Sequence, residues 1–497
     1  MNDDDKTLIN TPPPEDISAL RDLVIQLQAL IIDLHAKLAL KEEENAALRK
    51  ALFGQKSERK PLTRVRDPKG KSPTAAQKKA KRKEARLKGK KRRHERNEQL
   101  EQKSVVHEAA SDCPMCLSSG PFQGLSPDIS VEVEYLGERL QKLLHRVEKK
   151  LCGCGHIFSG KSPVRVTAGT HYGPAFHANA VVSKCADAMP LNRISKRFGR
   201  QGLHVARSTL TDLYHRAAGL LEPIHKRLLE VVAGSYYVNA DETTQPVMDK
   251  DKCRRGYIWT FIAGSVIGYI FSPSRSGETP RRLLEGTVGK LQVDGYTGYN
   301  TVCVPQGRER IGCIAHCRRY FHRALEHFPQ EAQHSLAVIL DLYRVEYDAA
   351  ARKLLGTDAH RLLREQRSQK ILDDWKLWLD DHKEKHAPKS LLGKAIKYAL
   401  NQWIPLTRFI HDAKVRLDNN ISEAALRIIA LGRDNFRWVG HNESGKNLAV
   451  LQTVVATCVA NGVNPQDYIT DVLIRVQTHP AKRIDELLPM NWKPALG

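Results

Sequence analysis

The sequence predicts a multidomain α/β protein, with a mixed-sheet core interrupted by an all-α insertion and preceded by a coiled coil and a small cysteine-rich module. Three patterns lead there. Apolar residues near the N-terminus keep a heptad period. From about Ser235 the chain turns to short β-rich runs, three in succession and then alternating with helix. A long charged stretch after them, carrying Trp375, Trp378 and Trp403, reads as helix almost throughout. At 497 residues the chain is long enough for several domains, each with its own core.

Residues 1–17 read as a disordered tail. The opening MNDDDKTLINTPPPED is acidic and lacks the apolar centre of a secretory signal, which points to the cytosol. Residues 18–55 read as a leucine zipper. Leu20, Val24, Leu27, Ile31, Leu34, Leu38, Lys41, Asn45, Leu48 and Leu52 alternate in steps of four and three, the seam of a coiled coil. β-Branched Val24 and Ile31 at a positions, with Leu at d, favour two parallel strands, and Asn45 at an a position fixes register. Residues 56–104 form a basic linker. Between Arg59 and Lys103 there are 19 Lys or Arg against 5 Asp or Glu, with too little apolar material for a core. Such a segment tracks phosphates without reading sequence.

Residues 105–160 hold Cys113-Pro-Met-Cys116 and, later, Cys152-Gly-Cys154-Gly-His156. Two close cysteine pairs in a reducing compartment suggest a zinc-finger-like domain with Cys113, Cys116, Cys152 and Cys154 as ligands. The second pair is C-x-C, so Cys152 with His156 is the alternative half-site. Residues 161–235 are helical in pattern: Pro190 opens LNRISKRFG, Gly202 marks a turn, and Ser208 stands where a cap for the next helix is expected. This is compatible with a helix-turn-helix, and equally with ordinary helical packing.

The core domain is expected over residues 236–450. Its strands are Tyr236–Asp241, Tyr257–Ile262, Val266–Phe271, Lys290–Asp294 and Arg310–Ala315, with a helix opening near Pro280. The all-α insertion spans residues 317–411, and residues 451–497 form a C-terminal helical segment.

Composition bounds the partners. A formal charge of +23 attracts polyanions, nucleic acid first. The chain is 41% hydrophobic and 27% charged, as expected of a soluble globular protein. No run approaches the ~20 apolar residues of a membrane helix. The ten cysteines read as buried residues or metal ligands, not disulfides.

Asp241 and Asp294 both end predicted strands, where neighbouring strands of a sheet bring distant positions together. Carboxylate oxygens suit hard cations, and phosphoryl transfer on DNA uses two of them ~4 Å apart. Glu423 is the candidate third acid, about one turn into a helix starting at Leu417-Asp418-Asn419-Asn420. Spacing leaves Glu242 as a rival to Asp241, and Asp418 as a rival to Glu423.

These motifs, taken in order, resemble the transposases of the insertion sequence 66 family over nearly the whole chain. Leu52-Phe53-Gly54 with Ser57-Glu58 is similar to the family's segment after its zipper. Val238-Asn-Ala-Asp241-Glu-Thr243, Val293-Asp294-Gly-Tyr-Thr-Gly-Tyr299 and Asp418-Asn-Asn-Ile-Ser-Glu423 resemble its three catalytic motifs. Leu426-Arg427, Gly432-Arg433 and Asn461-Gly-Val-Asn-Pro-Gln-Asp-Tyr468 follow as they do in the family. The resemblance implies a ribonuclease H-like core and a DDE transposase binding two magnesium ions through Asp241, Asp294 and Glu423. Water would attack at the element end, and the freed 3′ hydroxyl would attack target double-stranded DNA. It further implies a homodimer or larger assembly, small accessory proteins, no membrane, and a bacterial cytoplasmic, nucleoid-associated location. Structural zinc belongs to the cysteine module. The family's Glu-Arg is Glu423-Ala424 here, and Cys313-Ile-Ala-His316-Cys-Arg-Arg319 is similar to its Cys-x-x-His segment, whose Cys313 and His316 read as packing residues, with metal binding as the alternative. The alternative is a non-catalytic DNA-binding derivative, domesticated or inactive; a metal-dependent nuclease without strand transfer shares the same acids.

Overall fold

The computed structural model describes residues 101–494, except 137, 138, 168, 250 and 251. The zipper and most of the basic linker lie outside the described residues.

A four-stranded sheet comes first. β1 (Glu101–His107) runs parallel to β3 (Arg139–Leu151), β2 (Gln123–Leu136) pairs antiparallel with β3, and short β4 (Ile157–Ser159) pairs with the end of β3. β1 begins at Glu101, so the last residues assigned to the linker belong to this sheet. Cross-strand pairing with β3 outweighs the charge of this segment.

Three helices follow: α1 (Pro174–Cys185), α2 (Leu191–Arg200) and α3 (Arg207–Ala233). Phe176, Ala180, Ile194, Phe198, Leu210 and Leu213 bury one apolar cluster against Val133 and Leu140 of the first sheet. The turn before α3 contains Gly202 at φ +85°, a conformation that costs a residue with a Cβ. Ser208 does not cap α3. The cap position is Ala206, with no side-chain bond, and Ser208 lies inside the helix.

The second sheet builds the core. β5 (Tyr237–Asp249), β6 (Lys252–Ala263) and β7 (Val266–Ser272) form an antiparallel meander. α4 (Glu278–Leu284) leads to β8 (Gly289–Gln292), which pairs parallel with β5, and β9 (Arg308–Ile311) pairs parallel with β8. The order is β7-β6-β5-β8-β9, so the first strand of the meander lies at the centre. Two expectations change. β5 and β6 extend into a longer hairpin than their apolar runs suggest, because backbone pairing continues through Thr243–Asp249. The fifth strand is Arg308–Ile311, ending before Gly312. Gly312 donates instead to the Pro405 carbonyl, and residues from Ile314 onward are helical.

The insertion consists of α5 (Ile314–Ala324), α6 (Pro329–Ala351), α7 (Asp358–Leu363), α8 (Gln369–Lys383), α9 (Leu391–Asn401) and α10 (Trp403–Thr407). It has its own core of Phe321, Ile339, Leu342, Trp375, Leu379, Leu392 and Ile396. Its return is clamped by buried Arg364. Both ends of that guanidinium fork meet Glu346, at 2.8 and 2.6 Å, and it donates to the carbonyls of Phe409, Asp412 and Val415.

The chain then re-enters the core with α11 (Asn420–Phe436), α12 (Asn442–Ala460) and α13 (Pro465–Arg475). Leu426 and Ile429 of α11, Leu448, Leu451 and Val454 of α12, Ile469 and Val472 of α13, and Leu221, Ile224 and Leu228 of α3 join one core with Val238, Ile258, Phe261 and Leu291 of the sheet. α12 runs through the boundary expected at 450/451, since its buried face is continuous there. No helix among the described residues is long and apolar enough to cross a membrane.

Candidate functional site

Two sites emerge, one of sulfur and one of oxygen. In the first sheet, the loop after β1 carries Cys113 and Cys116, and the turn between β3 and β4 carries Cys152 and Cys154. The four Sγ atoms lie within 4.8 Å of one another. The closest approaches are Cys116 to Cys152 at 3.5 Å and Cys113 to Cys154 at 3.8 Å. A tetrahedral ion with bonds of ~2.3 Å needs sulfurs separated by roughly 3.8 Å, so the cluster is compatible with structural zinc. Each pair sits on a tight turn. Leu117 donates to the Cys113 carbonyl at 2.8 Å, and Gly155, at φ +82°, donates to the Cys152 carbonyl at 2.9 Å. Burial raises the Cys113 thiol, but the N–H groups of Cys116 and Met115 outweigh it and draw it down to about 6. A thiolate is the form that binds metal. His156 stands outside the group and uses its carbonyl to accept from Cys152 N at 3.0 Å. The alternative half-site of Cys152 with His156 therefore gives way to Cys152 with Cys154.

The oxygen site lies on the second sheet, where Asp294 follows its strand as expected but Asp241 does not end one, because β5 continues in pairing with β6 to Asp249. Asp241 is on β5 opposite Thr260 of β6, and its Oδ1 accepts from the N–H of Glu242 at 2.8 Å. Asp294 follows β8. Its Oδ1 accepts from Tyr296 N at 2.8 Å, and Arg310 of β9 grips the same turn through the carbonyls of Asp294 and Tyr296. Glu423 is in the first turn of α11, as the spacing predicts. Asp241 is the electrostatic centre of the group. Burial pushes its carboxyl up to about 7; the charges of Glu242, Asp294 and Glu423 add to the rise, and the Glu242 N–H opposes it. Its neighbour Glu242 and acids from two distant stretches thus act on one carboxyl.

They do not yet form a cage. Among the described residues, only the four cysteines bring three or more ligand atoms within 4.8 Å of one another. Glu423 is turned to side chains of the protein itself: Arg319 of α5 donates to its Oε1 at 2.6 Å, and His316 Nε2 stands 3.7 Å from the same oxygen. His316 Nδ1 is buried with no hydrogen-bond partner.

The rivals have other work. The side chain of Glu242 is almost fully buried, pairs with Arg275 at 2.5 Å and accepts from Tyr299 OH at 2.7 Å. Asp418 accepts from Tyr343 OH of α6 at 2.7 Å, and from Asn420 N at 3.1 Å and Asn420 Nδ2 at 2.9 Å. It pins the insertion to the start of α11.

A buried amide network joins the elements that carry the acids. Asn239 Nδ2 donates to Gln292 Oε1 at 3.1 Å and to Asn419 Oδ1 at 3.0 Å; Asn419 Nδ2 donates to the Ala240 carbonyl at 2.8 Å. Ser422 OH donates to Asn419 Oδ1 at 2.9 Å, and Gln292 Nε2 donates to the carbonyls of Gly312 at 3.0 Å and Arg416 at 2.8 Å. Asn419 N is 3.2 Å from Cys313 Sγ. The network ties β5, β8, the entry to α5 and the head of α11. On α11, Arg433 adds a second tie, donating to the Thr244 carbonyl at 2.7 Å.

Sequence reasoning missed this network, reading Asn419 only as part of a helix start. It also took both Cys313 and His316 as packing residues. Cys313 is buried beside Asn419, but His316 faces the acids. Helical spacing held the signal: Cys313, His316 and Cys317 fall on one side of α5, with Arg319 at its edge.

Residues 169–447 match the model described as the transposase IS66 family, and residues 453–490 match the IS66 C-terminal element. Two proteins of Sinorhizobium fredii (strain NBRC 101917 / NGR234) are similar. One, described as uncharacterized protein y4hP, is 30% identical over 80% of this chain and 76% of its own length. The other, uncharacterized protein y4jD, is 32% identical over 68% of this chain and 69% of its own. The matched region takes in the whole second sheet, the insertion and α11, more than half of the 497 residues, so the chain belongs to the IS66 family of transposases.

Proposed function

We propose that the chain is a DDE transposase with a ribonuclease H-like core, which cuts element ends and joins them to target double-stranded DNA. The observation that carries this reading is that the charges of Asp294 and Glu423 both act on the partly buried carboxyl of Asp241 and, with its burial, raise it. A cluster of acids in a low-dielectric site is electrostatically unfavourable without cations and becomes favourable with them. The sheet order, with a three-strand meander extended by two parallel strands, supports the ribonuclease H-like assignment.

Asp241, Asp294 and Glu423 would hold two magnesium ions, which supply Lewis acidity to the attacking and leaving oxygens of the phosphodiester. The rest is the chain's own work. The amide network fixes β5, β8 and the head of α11 against one another, so the backbone positions of the acids are set and the Glu423 side chain would have to turn from Arg319 to join the other two. Partial burial of Asp241 lowers the dielectric around its carboxyl and so strengthens its interaction with charge. No Ser or Tyr nucleophile is required. Cys113, Cys116, Cys152 and Cys154 would hold zinc as a structural ion that sets the geometry of the first sheet. The +23 charge supports DNA as the partner, and the heptads of residues 18–55 support a homodimer or larger assembly working with small accessory proteins in the bacterial cytoplasm, on the nucleoid.

The test uses labelled element ends, magnesium and any accessory proteins of the element. The full chain should cleave and join; Asp294→Asn should do neither while still binding DNA. Retained cleavage by that variant would remove Asp294 from the chemistry. Binding without cleavage by the natural chain would favour a non-catalytic derivative, and cleavage without joining a nuclease.

A further inference from the structure

An open groove of about 510 Å³ runs between α5 and α6. Arg318, Arg319 and His322 line its α5 side, and Leu340, Tyr343 and Tyr347 line its α6 side. Ala315 and Asn420 close the end nearest α11, so the groove opens onto the turn that carries Glu423. Its two sides differ in chemistry. On α5, Arg318 and His322 are exposed and have no ion-pair partner among the described residues. On α6, Tyr347 is 67% exposed and Leu340 47% exposed, on the face that repeats every three to four residues. The acids of α6 in the stretch that lines the groove are engaged elsewhere: Asp341 pairs with Arg344, Glu346 with Arg364, and Asp348 with Arg352 and Arg367. A cationic edge facing an exposed ring matches a polyanion that also offers flat apolar faces. A purely apolar partner would strand Arg318 without counter-charge and leave His322 without a hydrogen-bond partner.

We infer that this groove seats a single DNA strand beside the reacting phosphate, with phosphates on Arg318, Arg319 and His322 and an unpaired base stacked on Tyr347. A duplex keeps its bases stacked inside and leaves the tyrosine without a partner; a single strand satisfies both sides. Arg319 belongs to the groove and to the acid site at once, because the same guanidinium is 2.6 Å from Glu423 Oε1. A strand phosphate competes for Arg319 and frees Glu423 for a cation. DNA in the groove and metal at the acids therefore favour each other, each raising the other's affinity by the same factor.

The inference rests on the metal role proposed for the acids, and the two are tested by separate readouts on the zinc-loaded full chain. A single-stranded oligonucleotide carrying 2-aminopurine reports stacking locally, whatever the basic linker binds. Its fluorescence should be quenched by the natural chain, and Tyr347→Ala should lose the quench. Arg318→Ala with His322→Ala should require roughly tenfold more protein for the same quench. Titration with Mn2+ by calorimetry should show tighter binding in the presence of the oligonucleotide, whereas in Arg319→Ala the oligonucleotide should no longer change Mn2+ affinity. Quenching unchanged in Tyr347→Ala and in the double variant overturns the groove assignment. A strand that binds there without altering Mn2+ affinity overturns the coupling. Equal Mn2+ heats for the natural chain and Asp294→Asn would instead count against the metal reading of the acids, with the quenching experiment still deciding the groove.

Discussion

Replacing Asp241 by Asn should stabilise the metal-free protein, and the gain should grow with pH. Burial and three neighbouring acids raise the Asp241 carboxyl from its ordinary value near 3.8 to about 7. A folded-state pKa above the unfolded value means that the native state binds the proton more tightly. Stability is therefore unaffected below about pH 4, falls as pH rises toward 7, and reaches its full deficit above that. A pKa difference of about three corresponds to about 4 kcal/mol at 1.36 kcal/mol per pH unit. Relaxation of the neighbouring acids reduces this, so about 2–4 kcal/mol is expected at pH 8. Asn has nearly the same shape, and its carbonyl can still accept from Glu242 N, so little packing changes. The assay is urea unfolding of both proteins at pH 5, 6, 7 and 8, without magnesium and without a chelator, which would strip the cysteine cluster. The Asn variant should lead by a margin that widens from pH 5 to pH 8. Added magnesium should close part of that margin by stabilising the natural chain alone. A margin independent of pH, or a variant less stable at pH 8, would refute the electrostatic reasoning.

Other perturbations follow from the same geometry. Cys113→Ser should lower zinc from one ion per chain to background by elemental analysis, and should loosen the first sheet in hydrogen exchange while the second sheet stays protected. Arg364→Ala should cost about 3–5 kcal/mol in denaturant unfolding, because Glu346 keeps only His360, 3.3 Å away, and the carbonyls of Phe409, Asp412 and Val415 lose their donor; adding Glu346→Leu should recover part of that loss. Asn419→Ala should cost about 2–4 kcal/mol, since the Ala240 carbonyl and the Ser422 hydroxyl lose their buried partner. It should also weaken Mn2+ binding by calorimetry, as the head of α11 is no longer held against β5; unchanged affinity would show that the network serves folding alone.

What the sequence determined was largely local. Short β-rich runs marked the meander, and Gly202 and Pro280 marked a turn and a helix start, because these signals depend on neighbours a few residues away. Strand-end positions and motif order singled out Asp241, Asp294 and Glu423 before any fold was in hand. What only the tertiary structure decided was pairing across long separations. β9 ends at Ile311 because Gly312 finds its partner at Pro405, almost a hundred residues on. Glu242 meets Arg275 and Tyr299, and Asp418 meets Tyr343, partners far away in sequence that spacing does not record. The C-x-C pair joined Cys113 and Cys116 because one tight turn after β3 carries both of its sulfurs to the loop after β1. Glu423 turning to Arg319 and His316 was invisible for the same reason: spacing records which residues share an element, but a charged side chain chooses its partner in space.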